Sequence, residues 1–253
     1  MCKHKADKDF RKFICGHNKK SAIALMTVIM LYFGYIVSIE SQFHRKGAGN
    51  EIETSASSQN FAAGSYVKFG RYPQKSALFY EPIEWLVLEN NGETALLISK
   101  FCLDSCNFHD AMIPVSWRDC DLRKWLNGDF MQYAFNSEEL GRIADSRIYT
   151  GDNLEYSVKG CGETIDKIFC LSADEAEQYF PADDDRKCRP TSFAIKHHAY
   201  YNYGNGCCSY WLRSPGAYVN KAACVLFNGA VRSSGHDANV LGSSVRPALR
   251  IIL

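Results

Sequence analysis

The sequence predicts an α+β domain carried behind one membrane-spanning helix, and three observations make that prediction. A single uncharged apolar run, SAIALMTVIMLYFGYIVSI from Ser21 to Ile39, has the roughly 20 residues that a bilayer-crossing helix needs. Beyond a polar interval, short runs of period two are interspersed with runs of period 3.6, so strands and helices alternate along the rest of the chain. The 253 residues are 46% hydrophobic and 23% charged, a composition that suits one sizeable globular domain.

The basic head comes first. Lys3, Lys5, Lys8, Arg11, Lys12, Lys19 and Lys20 stand against Asp7 and Asp9, which gives residues 1–20 a charge of +5. Positive charge before an apolar span holds that end in the cytoplasm, so everything after Ile39 is expected outside. A cleaved signal peptide competes with this reading, but its apolar region usually runs about 7–15 residues and ends at small residues. Here the run is longer and leaves through SIESQF, so residues 21–39 are read as an uncleaved anchor. Cys2 and Cys15 lie on the cytoplasmic side with no lipidation motif around them.

From Glu40 to Ala63 the chain turns to Ser, Gly, Ala, Asn and Gln, with Phe43, Ile52 and Phe61 its few large apolar residues. Such a stretch buries too little surface to offset its ordering entropy and reads as a flexible tether over 40–63. The extracytoplasmic domain then occupies 64–253. Since the whole chain carries +1 and the head +5, the remainder carries −4 and holds no long basic run. Nucleic acid is therefore not an expected partner.

Within the domain, YVKFG and IEWLVLE read as strands, and TALLISKF follows the turn signal ENNGE, so it opens with antiparallel pairing. SWRDCDLRKWLN then changes period. Ser116 and Asp119 match a capping box, and Leu122, Trp125 and Leu126 share one helical face, which makes Trp125 a core residue. FMQYAF extends this helical stretch, and SEELGRI opens another in which Glu138 and Glu139 are first-turn acids favoured by the helix dipole. In KIFCLSADEAEQYF a strand ends at Leu171, and Ser172 with Glu175 caps the next helix. Asp183, Asp184 and Asp185 lack the glycine and terminal glutamate of a calcium loop and read as solvated. AACVLFNGAVRSSG alternates about Asn228-Gly229, the pair most favourable to a two-residue hairpin turn.

Nine cysteines follow the apolar run: Cys102, Cys106, Cys120, Cys161, Cys170, Cys188, Cys207, Cys208 and Cys224. Outside the cell such a set defaults to disulfides of undetermined connectivity, with at least one thiol unpaired within the monomer. Two groups could instead hold zinc: Cys188, His197, His198, Cys207 and Cys208, or Cys102, Cys106, His109 and Cys120. Neither has paired CxxC spacing, so no metal or cofactor is assigned.

Eight segments in order, YVKFGRYPQ, PIEWLVLE, ALLISK, WRDCDLRKWLN, DKIFCLSADEAEQYF, CRPTSFA, YWLRSPG and SVRPALRI, resemble an uncharacterised bacterial domain family, a domain of unknown function common in exported proteins. That family is similar to the C-type lectin-like fold, in the branch that includes the formylglycine-generating, sulfatase-modifying enzymes. The resemblance implies a compact α+β domain whose first and last strands meet, with long irregular loops on one side. It supplies no active residues: the EPN, QPD and WND-like segments of calcium-dependent lectins do not occur, and the redox cysteine pair of the sulfatase-modifying enzymes has no counterpart in its usual context. G-x-S-x-G, H-E-x-x-H, G-x-x-x-x-G-K and a complete G-x-G-x-x-G are also missing.

HHAYYNYGNGCCSYWLRSPG, from His197 to Gly216, divides in two. Trp211 and Leu212 fit a buried strand leaving through Ser214, Pro215 and Gly216, with Arg213, like Arg246, in a structural role. Upstream, Tyr200, Tyr201 and Tyr203 lie among glycines and amides, too irregular for a strand. Their rings either form a recognition surface for a glycan or protein or fold back as cover for the core. The expectation is a membrane-anchored, non-catalytic cell-surface binding module whose candidate ligand-binding residues are Tyr200, Tyr201, Tyr203, Tyr210 and Asn228. An enzyme related to the sulfatase-modifying oxidases and a disulfide-linked envelope protein are the alternatives.

Overall fold

A computed structural model describes residues 59–253. The basic head, the apolar run and most of the tether lie outside the described residues. Among the described residues no helix is long and apolar enough to cross a membrane. The tether, expected to reach Ala63, ends earlier. Gln59 exchanges two hydrogen bonds with the Lys68 backbone, at 3.0 and 2.6 Å. The Phe61 ring packs against the core, and the Phe61 carbonyl accepts from Asn90 Nδ2 at 3.0 Å.

Two five-stranded sheets share one core. The first has the order β1-β2-β3-β12-β7, with β1 Tyr66–Pro73, β2 Tyr80–Asn90, β3 Thr94–Ser99, β12 Ala248–Ile252 and β7 Ile168–Phe169. The second runs β10-β9-β8-β11-β4, with β10 Val231–Asp237, β9 Lys221–Val225, β8 Tyr210–Pro215, β11 Ser244–Val245 and β4 Asp104–Ser105. β5 Ser146–Thr150 and β6 Gly162–Asp166 form a separate antiparallel pair. All pairings between these strands are antiparallel except that of β8 with β11.

β3 is buried along Ala95–Ser99, as its unbroken apolar run requires of a strand flanked on both sides. The first and last strands share this sheet but do not meet as the resemblance implies. β12 pairs with β3 in the register Ala248↔Ile98 to Ile252↔Thr94, leaving β2 and β3 between it and β1. Three tryptophans seal the interior, and each indole N–H finds an acceptor, as a buried indole needs. Trp85 donates to the Phe69 carbonyl at 2.7 Å, Trp117 to Asp166 at 2.9 Å and Trp211 to the Cys106 carbonyl at 2.9 Å.

The helices are short. α1 Asp121–Trp125 passes through a π-helical turn, Leu126–Phe130, into α2 Met131–Ala134. Its cap is not the Ser116–Asp119 box expected from the sequence. Ser116 and Asp119 bond to each other in a preceding turn, and the Cys120 thiol sulfur accepts from the Arg123 N–H at 3.4 Å. Trp125, expected in the core, is half-buried and packs on Phe130 with ring centroids 5.2 Å apart.

α3 Ser137–Arg142 begins with a capping box between Asn136 and Glu139. α4 Ala173–Tyr179 begins with the predicted box: Ser172 Oγ accepts from the Glu175 N–H at 3.1 Å and Glu175 accepts from the Ser172 N–H at 3.0 Å. Ser172→Ala removes one half of that exchange. Its expected loss is about 1 kcal/mol, read from the urea midpoint by tryptophan fluorescence; no shift would mean that the cap does not hold the helix.

The Asn228 hairpin forms, but not with a two-residue turn. Leu226 donates to the Ala230 carbonyl at 2.9 Å and Gly229 to the Leu226 carbonyl at 2.8 Å, which makes Phe227, Asn228 and Gly229 a three-residue connection. Gly229 alone of the three has positive φ, at 90°. This is the turn-plus-bulge alternative to the mirror-image turn.

Candidate functional site

The candidate tyrosines follow α5, Ser192–Lys196, whose cap is Thr191 Oγ1 accepting from the Ala194 N–H at 3.0 Å. His197 ends that helix with Nδ1 2.9 Å from Asp104 Oδ1 and its ring against Phe193, centroids 4.0 Å apart. Asp104 also accepts from the Tyr72 hydroxyl at 2.6 Å. These contacts give the histidine a place at the helix end. His198 then takes φ of 74° and redirects the chain.

From Tyr201 to Cys208 the loop closes on itself. The two end residues form a bridge, Asn202 donates to the Cys207 carbonyl at 2.8 Å, and Gly206 donates to the Asn202 carbonyl at 2.8 Å. Asn202 Oδ1 accepts from the Gly204 and Asn205 N–H groups at 2.9 and 3.2 Å, an Asx turn that organises the loop from its own side chain. Asn205 Nδ2 donates to the Phe227 carbonyl at 3.0 Å, and this bond brings the tyrosine loop and the Asn228 hairpin together. Asn228 is exposed, with Oδ1 accepting from the Ala230 N–H at 3.2 Å.

The candidate residues separate by exposure. Tyr200 is 64% and Tyr203 84% exposed. Tyr201 is half-buried, packs against the core, and tilts against Tyr203 with centroids 4.9 Å apart. Tyr210 is a correction: at 2% exposure on β8 it belongs to the interior. Its hydroxyl donates to the Arg186 carbonyl at 2.9 Å and lies 3.3 Å from Arg246 Nη1, and burial pushes the phenol pKa up. Those partners are distant in sequence, so a pattern confined to the tyrosine run does not reveal them.

Sequence reasoning missed Leu241, which is 76% exposed. Its neighbour Gly242 lies against Tyr200, whose N–H donates to the Gly242 carbonyl at 3.0 Å. The same 237–243 segment reaches two further loops. Ala238 donates to the Asn220 carbonyl at 2.9 Å, His109 to the Ala238 carbonyl at 2.9 Å, and Val115 to the Val219 carbonyl at 2.8 Å. These loops expose Met112, Ile113, Tyr218 and Val219. The only sequence signal was isolated apolar residues inside turn-like segments.

An open groove of about 440 Å³ lies elsewhere, with Lys75, Glu81, Glu84, Phe101 and Thr191 in its walls. Glu81 pairs with Lys75 and Glu84 with Lys100, each at 2.7 Å, so both carboxylates in its walls are already paired within the protein. Among the described residues, no group of three or more His, Cys, Asp or Glu is placed to hold a metal ion. All nine cysteines from Cys102 to Cys224 are thiols in this structure.

Together these features define a sheet-rich domain with a shared core and exposed aromatic loops. Residues 92–253 match the family model for DUF6273, a domain of unknown function, and the chain belongs to that family. β1 and β2 precede the matched span although they complete the first sheet. No curated protein and no solved structure matches the chain.

Proposed function

We propose that the chain is a membrane-anchored, non-catalytic cell-surface module with a lectin-like domain that recognises a glycan or protein ligand through the loops around Tyr200 and Tyr203. The observation that supports this most directly is two exposed tyrosine rings on fixed backbone: Tyr203, 84% exposed on a loop closed by its own hydrogen bonds, and Tyr200, 64% exposed just before it and held by its N–H to the Gly242 carbonyl. A rigid tyrosine offers a broad apolar face and one hydroxyl at low entropic cost, which suits both sugar rings and protein surfaces. Asn228 joins them from the hairpin, and Leu241 adds apolar area beside Tyr200.

The test presents the full chain in nanodiscs to glycan and surface-protein arrays. Tyr200→Ala combined with Tyr203→Ala is expected to weaken the recovered interaction about tenfold or more, the effect of losing anchors at the centre of an interface. Tyr210→Phe, a change inside the core, is expected to leave affinity unchanged. Absence of binding, or binding indifferent to the double substitution, would sink the proposal. The topology is checked separately with protease on intact cells, which is expected to digest the domain before lysis.

A further inference from the structure

Three cysteines far apart in sequence meet in the core. Cys102 lies in a parallel bridge with Pro190, while Cys188 and Cys208 face each other in an antiparallel bridge. The Cys102 N–H donates to the Arg189 carbonyl at 3.0 Å, the Thr191 N–H to the Cys102 carbonyl at 2.9 Å, and the Cys208 N–H to the Cys188 carbonyl at 2.9 Å. These bonds fix three backbones side by side, the Cys188 thiol donates to the Lys100 carbonyl at 3.6 Å, and the Cys208 thiol donates to the Cys188 carbonyl at 3.5 Å; the Cys102 thiol interacts with both other thiols. All three residues are buried.

Beside them sits the buried Arg246. Its Nε donates to the Ser99 carbonyl at 3.0 Å, Nη1 lies 3.3 Å from the Tyr210 hydroxyl, and the guanidinium stacks over Phe180 and Tyr210 at 5.1 and 5.4 Å. Among the described residues no carboxylate is paired with it. A cation enclosed without a counter-charge is costly, and the cysteine sulfurs can take up negative charge next to it.

We propose that Cys102, Cys188 and Cys208 form a buried thiol–disulfide site in which the Cys102 sulfur bonds to Cys188 or to Cys208 and the third cysteine stays a thiol. In the folded trio Cys188 is the sulfur that most readily becomes a thiolate. Burial pushes its thiol up, but the hydrogen bond from Cys102 and the Arg246 charge outweigh burial and bring it down to about 7, whereas burial holds the Cys102 thiol well above its ordinary value. A lowered thiol supplies the thiolate that disulfide exchange requires.

The oxidant is a small disulfide of the glutathione class. During folding a thiolate of the trio, Cys188 in one route, attacks one of its sulfurs and expels the first glutathione thiolate. Cys102 then attacks the Cys188 sulfur of the mixed disulfide, expels the second, and the two protein-thiol protons end on the two glutathione thiols. Two protein thiols are oxidised and one external disulfide is reduced. Afterwards Cys208 can attack the Cys102 sulfur and release the Cys188 thiolate, which breaks one S–S bond as another forms. Because the sulfurs are enclosed, the first reaction takes place while the chain folds.

The experiment refolds the full chain in detergent with oxidised and reduced glutathione, alkylates free thiols and maps the peptides by mass spectrometry. Most Cys102 is expected in a link to Cys188 or Cys208, resistant to reductant in native buffer and labile to it in denaturant. Cys188→Ser is expected to move the link wholly to Cys102–Cys208, and Cys208→Ser wholly to Cys102–Cys188. Cys224→Ser, which alters a buried cysteine outside the trio, is expected to leave the map unchanged. Recovery of Cys102 as an alkylated thiol, or linked to a cysteine outside the trio, overturns the proposal.

Discussion

Arg213→Ala is expected to destabilise the domain by roughly 3 kcal/mol, the lower end of the cost of breaking an ion pair from its buried side, because Glu175 keeps 29% exposure. The guanidinium is almost fully buried, forks onto the Glu175 carboxylate with both terminal nitrogens, and donates to the Cys170 and Tyr149 carbonyls at 2.9 and 3.0 Å. It also lies 5.9 Å over the Phe169 ring. One side chain thus ties together the end of β7, the start of α4 and the end of β5. Alanine removes the charge, takes this donor from two carbonyls, and leaves the Glu175 carboxylate with its Ser172 N–H but without a cation.

Arg213→Lys keeps a charge but not the two-pronged geometry, so an intermediate loss of about 2 kcal/mol is expected. Urea unfolding followed by tryptophan fluorescence reads both variants, since all four tryptophans, Trp85, Trp117, Trp125 and Trp211, lie in the described domain. A midpoint for Arg213→Ala equivalent to less than about 0.5 kcal/mol, the range of an ordinary surface change, would refute the assigned role.

What the sequence disclosed follows the range of the interactions involved. The Ser172–Glu175 cap is legible because both partners lie within four residues and a helix end needs that exchange of donors. The same logic failed at Ser116, where the S-x-x-D pattern is present but the two side chains bond to each other ahead of a helix capped by Cys120. Local chemistry there permits both arrangements, and packing of the following segment selects one.

The irregularity of Tyr200–Gly206 was legible from its glycines and amides, and the exposure of Tyr200 and Tyr203 agrees with the loop reading. The interior position of Tyr210 was not, because its hydroxyl partners are the Arg186 carbonyl and Arg246, 24 and 36 residues away. Distance in sequence also hid the thiol cluster. Spacing alone gives Cys102 no more reason to meet Cys188 than to meet Cys170, and only the bridges at Pro190 and Cys208 decide it.

Gly229→Ala tests the turn that joins the hairpin to the rest of the loop cluster, and its expected cost exceeds about 3 kcal/mol, through two separable effects. At φ of 90° any side chain is strained, and a Cβ built there would stand 1.7 Å from the Asp183 carbonyl oxygen and 2.5 Å from its carbon. Backbone cannot swing aside as a flexible side chain can. The Gly229 carbonyl meanwhile accepts from Arg186 Nε at 2.8 Å, and the Arg186 carbonyl holds the Tyr210 hydroxyl, so displacing the turn disturbs the interior beneath it.

Gly92→Ala provides the comparison. That glycine has φ of 89° but open space around its Cβ direction, so it reports backbone strain alone, about 1–2 kcal/mol. The excess loss in Gly229→Ala then measures the close approach to Asp183. If the two substitutions shift the urea midpoint equally, the hairpin turn is not wedged against Asp183, and the Asn205–Phe227 bond alone sets Asn228 beside the tyrosine loop.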